Sequence, residues 1–193
     1  MTETGYLART HREPPALLLE LEQHGRREDV AIIERETGRL LSTLVHAMQA
    51  NRILEIGTGF GYATLWMGLA LPPAGKIWSI DPDRESSDIA RSYFERANLS
   101  DAIEILSQPA LDILPTFSGR NLDIIFIDGR KDEYPEYLEI CVNLLKRSGL
   151  IIIDDMLHPM VDRNFHRTFL RHPELDAIIL PLGDGVGLGS RIG

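Results

Sequence analysis

Apolar residues recur at helical spacing in two segments near the N-terminus, 16–22 and roughly 33–49, where Leu40, Leu41, Leu44, Val45 and Met48 form a stripe. The run Gly25-Arg26-Arg27-Glu28-Asp29 predicts a charged break between them. From position 52 onward short apolar runs alternate with longer amphipathic stretches. The runs 52–56, 76–80, 103–106, 122–127 and 150–153 predict strands; the stretches 62–71, 84–98, 110–117 and 134–146 predict helices. Such a series of βα units implies an α/β fold with a parallel, doubly wound sheet and helices on both faces. The C-terminal part breaks the alternation. It predicts a helix over 163–171, a strand over 175–180, a Gly183-Asp184-Gly185 turn and a strand over 186–192, which together make an antiparallel hairpin at one sheet edge.

Three glycines stand where the first strand turns into a helix, in Glu55-Ile56-Gly57-Thr58-Gly59-Phe60-Gly61-Tyr62. Glycine permits positive φ and close approach of a ligand to the backbone, and the helix N-terminus offers free N–H groups. A dinucleotide fingerprint needs its third glycine one position later, where this chain has Tyr62, which weighs against a pyrophosphate lying on this helix and hence against a nicotinamide-dependent oxidoreductase. Asp81, followed by Pro82, ends the next strand, where an acid can accept hydrogen bonds from ribose hydroxyls. Glycine loop and acid together suit a nucleoside ligand. Ser107 and Gln108, with Pro109 and Ala110 behind them, follow the third strand and are candidates to lie near a base.

Two further apolar runs end in acids: Ile127-Asp128-Gly129-Arg130-Lys131, and Ile153 followed by Asp154-Asp155. In an open α/β sheet ligands bind outside the carboxyl ends of the strands, so these carboxylates are expected to share one crevice with Lys131 beside them. Oxygen ligands without a cysteine or histidine pair favour magnesium, manganese or calcium over zinc.

The glycine run with Ile80-Asp81, Asp128-Gly129-Arg130-Lys131 and Asp154-Asp155 resembles the class I S-adenosylmethionine-dependent O-methyltransferases of the catechol and caffeoyl-CoA type, over most of the chain. The glycine run alone marks only the broad methyltransferase superfamily; the Asp-x-x-Lys and paired-acid motifs are more specific. The resemblance implies a Rossmann-like, mostly parallel seven-stranded sheet with N-terminal helices. It implies that Glu55, Gly57, Gly59 and Tyr62, with Thr58 and Gly61 in the same loop, surround the methionine part of S-adenosylmethionine. Asp81 and Pro82 would hold the ribose, and Gln108, Pro109, Ala110 and Asp128 would complete the cofactor site. Asp128, Asp154 and Asp155 would bind a divalent metal, usually magnesium, and Lys131 would be the base. The acceptor would be a small hydroxylated aromatic compound, and the protein a homodimer built on its N-terminal helices. Asp155 departs from the family, whose usual residue there is Asn; its extra negative charge predicts tighter metal binding.

Composition adds bounds. The 193 residues predict a single domain over 1–193, with an N-terminal helical segment over 1–50 and the cofactor-binding and catalytic core over 51–193. No apolar run approaches the roughly 20 residues of a membrane span, and the polar start lacks a secretory core, which predicts a cytoplasmic protein. Cys141 lies in an apolar helical pattern and reads as a buried side chain. A net charge of -9 disfavours nucleic acid. A tRNA wobble-hydroxyuridine methyltransferase stays open as an alternative, because Arg26-Arg27 and the 163–171 helix could form a local basic face. A cofactor-binding module without chemistry is the remaining reading.

Overall fold

Alternate residues of each apolar run point to opposite faces of one sheet, and this alternation divides the core in two. The computed structural model describes residues 10–193. Of the helices that lie wholly within the described residues, α1 (Ala16–Arg27) and α2 (Arg35–Met48) come first. There follow β1 (Arg52–Ile56), α3 (Tyr62–Gly68), β2 (Lys76–Ile80), α4 (Arg84–Arg96), β3 (Ile103–Leu106), α5 (Ala110–Ile113) with a 3-10 turn behind it, and β4 (Leu122–Ile127). A second 3-10 turn, Lys131–Glu133, leads into α6 (Tyr134–Val142), β5 (Leu145–Ile153), α7 (Arg163–Leu170), β6 (Leu175–Leu180) and β7 (Val186–Arg191).

The seven strands lie in the order β3-β2-β1-β4-β5-β7-β6. Pairing is parallel from β3 through β5, and β7 runs antiparallel to both β5 and β6. Ile53, Ile77, Ile124, Phe126 and Ile152 face one core with α1 to α4; Leu54, Ile56, Ile125, Ile127, Ile151 and Ile153 face the other with α5 to α7. All six residues of β4 are buried, as a central parallel strand covered on both faces requires. Each fully buried Leu, Ile or Phe contributes roughly 1.5–3 kcal/mol.

Two expectations need correction. Gly25-Arg26-Arg27 does not break the first helix: α1 runs through to Arg27, held by an Arg26–Glu22 pair one turn apart. Gly25 instead lets Ile32 pack close, with a Cβ there lying 3.2 Å from Ile32 Cγ2. The helix expected over 134–146 stops at Val142, and β5 begins at Leu145. Leu145 pairs with Leu122, and Lys146 meets the buried Asp123, which also accepts hydrogen bonds from the amides of Asn51 and Arg52 at 2.8 Å. A short apolar run such as Leu144-Leu145 fits either period, and long-range pairing decides.

Candidate active site

The strand order reverses between β1 and β4, and the ends of β1, β2, β4 and β5 meet there. Gly57 follows β1 with φ 97°, and a Cβ on it would stand 2.2 Å from the carbonyl oxygen of Asp128, which follows β4. Only glycine allows the two loops to abut. Gly59 also has positive φ, at 49°, but a Cβ there would meet nothing within 4 Å. One glycine is therefore fixed by protein packing, while the other keeps backbone bare toward an open space. That space is a cavity of about 540 Å³, within the range of small-molecule sites.

The cavity brings together Gly57, Thr58, Gly59, Tyr62, Asp81, Asp128, Lys131, Asp154 and Asp155 of the expected residues. Asp81 is held in place by the loop it faces: its Oδ2 accepts from the Gly59 amide and its Oδ1 from the Asp83 amide, both at 2.8 Å. A carboxylate has about four acceptor sites, so capacity for a hydroxyl pair remains. Tyr62 lines the cavity, and its hydroxyl donates to Glu22 Oε2 at 3.3 Å. Gly61 caps α3 from beneath, against Phe94.

Besides Gly61, five expected residues do not line the cavity. Glu55 is fully buried and does not line the cavity. The alternation of β1 turns it into the core, where it accepts hydrogen bonds from Ser79 and Thr64, while Oε1 has no partner among the described residues. Burial pushes its carboxyl up to about 8, which favours the neutral form. Pro82 is exposed beyond Asp81, and Pro109 is the residue before α5. Ala110 is packed in the second core, and Gln108 lines a separate hollow with Trp78 and Ser107.

The acidic group lies across the cavity from the glycine loop. Asp154 is 3% exposed, and its Oδ1 has no hydrogen-bond partner among the described residues. Burial, and then the adjacent Asp155 charge, push its carboxyl up to about 7. Burial, then Asp154, also hold Asp128 well above the ordinary carboxylate range. Asp155 adopts φ 57°, a left-handed conformation that Asp and Asn tolerate better than other side chains. Its Oδ2 pairs with Lys131 Nζ at 2.7 Å. Among the described residues no three Asp, Glu, His or Cys side chains form a ready metal-ligand set.

Sequence reasoning points to the N-terminal segment and the loop after Asp155 as walls of an acceptor pocket, without naming every residue that lines it. Ile32, Ile33 and Glu34, between α1 and α2, and Asp184, in the β6–β7 turn, all line the cavity. Nothing in their local pattern signals this, because they reach the cavity through tertiary packing. Of the loop after β5, His158 and Met160 line it, whereas Met156 is fully buried in the core. The backbone amides of Leu157 and Met156 donate hydrogen bonds to the carbonyls of Asp184 and Gly185 in the β6–β7 turn, at 2.7 and 2.8 Å.

A family model described as O-methyltransferase matches residues 10–192. The catechol O-methyltransferase of Mycobacterium tuberculosis is 33% identical over 125 residues, 65% of this chain; the match spans 57% of that enzyme's length. Caffeoyl-CoA O-methyltransferase 2 of Petunia hybrida is 32% identical, over 81% of this chain and 75% of its own. Among solved structures, the O-methyltransferase TomG of Streptomyces achromogenes, determined in complex with S-adenosylmethionine, superposes with a TM-score of 0.87 at 28% identity, covering 100% of both chains. The reversed strand order, the bare glycine loop facing Asp81 and a family match spanning the described residues agree: this chain belongs to the O-methyltransferase family.

Proposed function

We propose that the protein transfers the methyl group of S-adenosylmethionine to one hydroxyl of a small catechol-like acceptor with the aid of a divalent cation. The observation that carries this reading is the single cavity that joins the glycine loop and Asp81 to Asp128, Lys131, Asp154 and Asp155. The donor set suits a hard cation: all oxygens, one of them a buried Asp154 Oδ1 without a partner. Asp128, Asp154 and Asp155 would hold it, and such an ion when bound gathers two adjacent hydroxyls and lowers their pKa. Magnesium is the first choice, with manganese and calcium behind it.

The chain's own residues do the rest. Gly59, with nothing within 4 Å of where a Cβ would stand, leaves open space for the methionine end of the cofactor, and Asp81 accepts from its ribose. For Asp155 to serve as a ligand it must turn from Lys131. That frees Nζ, in its amine form, to take the phenolic proton. The acceptor oxygen then attacks the methyl carbon, the sulfur–carbon bond breaks, and S-adenosylhomocysteine leaves with the electron pair. Most of the gain comes from holding oxygen and methyl in line. The homodimer and the cytoplasmic setting expected from the sequence belong to the same proposal; among the described residues no helix is long and apolar enough to cross a membrane. The test is product analysis with the three dihydroxybenzenes. The vicinal isomer should yield a mono-methyl ether, and the other two should react at least about tenfold more slowly; equal rates for all three would refute paired-hydroxyl binding.

A further inference from the structure

Six acidic residues line the cavity, Glu34, Asp81, Asp128, Asp154, Asp155 and Asp184, and Lys131 is the one lysine or arginine on its walls among the described residues. Asp128, Asp154 and Asp155 are assigned above to a cation, and Asp81 is engaged by two backbone amides. Glu34 and Asp184 are left over. They sit side by side on different elements, Glu34 at the start of α2 and Asp184 in the β6–β7 turn, and a Cβ on Gly183 would lie 2.3 Å from Glu34 Oε2. Both are exposed at the rim, near the apolar Met160 and Ile32. The cofactor carries one net positive charge. Together with a dication and Lys131 it does not balance six carboxylates, so the walls stay negative where an acceptor's ring substituent would emerge.

Relatives of two acceptor types, catechol and caffeoyl-CoA, match this chain at nearly equal identity, 33% and 32%, so likeness does not choose between them. Charge does. We infer that Glu34 and Asp184 select the acceptor by charge, so that the site takes catechols that are neutral or carry an ammonium group and rejects carboxylates and acyl-CoA thioesters. The inference rests on the catechol reading above. Because the rim is open to solvent, selection amounts to a severalfold preference and weakens as salt is raised. A phosphate-rich acceptor, tRNA included, meets the same repulsion.

The experiment is calorimetric binding of three catechols, one bearing an aminoethyl group, one a methyl group and the third dihydroxyphenylacetate. The protein carries magnesium and S-adenosylhomocysteine, and turnover is measured in parallel. The ammonium compound should bind at least about fivefold more tightly than the carboxylate, with the neutral one between, and added salt should shrink the gap. In the Glu34→Gln, Asp184→Ser double variant the gap should narrow at least about twofold, since both side chains are exposed and replaceable. A carboxylate bound equally or more tightly, or a gap untouched by the double variant, would overturn the inference. Ordered binding without turnover would refute the catechol reaction and sustain charge selection; no binding of any of the three would overturn both.

Discussion

At the scale of single residues the site is a set of carboxylates with unlike environments. Glu55, Asp128 and Asp154 are raised by burial, whereas Asp81 accepts one backbone amide on each oxygen and keeps acceptor capacity for a ligand. Glu55 binds a proton more tightly folded than unfolded, since its carboxyl rises from 4.5 to about 8. Its contribution is therefore complete below about pH 4.5 and is lost as pH climbs through 8, by at most about 1.4 kcal/mol per unit. The amide of Glu55→Gln cannot titrate. Denaturant unfolding across pH 5 to 9 should show wild-type stability falling relative to the variant; parallel curves would mean that Glu55 is ionised in the fold. Asp155 carries a second prediction. Asparagine tolerates its left-handed backbone equally well, so Asp155→Asn should keep its melting temperature within a few degrees while its magnesium dissociation constant rises about fivefold or more, the cost of one anionic ligand. Unchanged magnesium affinity by titration calorimetry would remove Asp155 from the ligand set.

Among the elements, the turn from β1 into α3 does most to place the chemistry, and its glycines are not equivalent. Gly57→Ala would drive a Cβ into the Asp128 carbonyl, so the variant should be strongly destabilised or fail to fold. Gly59→Ala meets open space and pays only for its positive φ, roughly 1 kcal/mol. It should fold, yet bind S-adenosylmethionine at least about tenfold more weakly, because its methyl group enters the cofactor's path. Thermal melts and cofactor calorimetry on the pair would show this, and wild-type affinity in Gly59→Ala would place the cofactor elsewhere. The glycine positions were legible from the sequence because backbone freedom has a residue signature. Strands β1, β2, β3, β4 and β6 were legible to the residue for a similar reason, since apolar runs between turn signals can only be buried strands here. The start of β5 was not. Leu144-Leu145 carries no local mark that Leu122 and Asp123 will claim the chain and end the helix.

On the scale of the whole molecule, the sheet order turns scattered strand ends into one cavity. Alternating βα units made the parallel core readable, and the Gly-Asp-Gly turn made the antiparallel edge readable. The acids at strand ends could be placed together because parallel strands present their carboxyl ends to one side. The individual residues of the N-terminal wall were not readable. Ile32, Ile33 and Glu34 are brought in by α1 and α2 packing on α3, and Tyr62 is tied to that layer through Glu22, which Arg35 also engages at 2.6 Å. Glu55 and Gln108 show the converse limit: adjacency in a motif did not reveal which face of a strand or loop each would take. The central claim is that cofactor, cation and catechol meet in this one cavity. Its most direct test is the initial rate of labelled methyl transfer from S-adenosylmethionine to a neutral catechol, with magnesium and with a chelator in its place. The account predicts labelled mono-ether with magnesium and a rate at least about a hundredfold lower with chelator; equal rates in both, or label that never reaches the catechol, would contradict it.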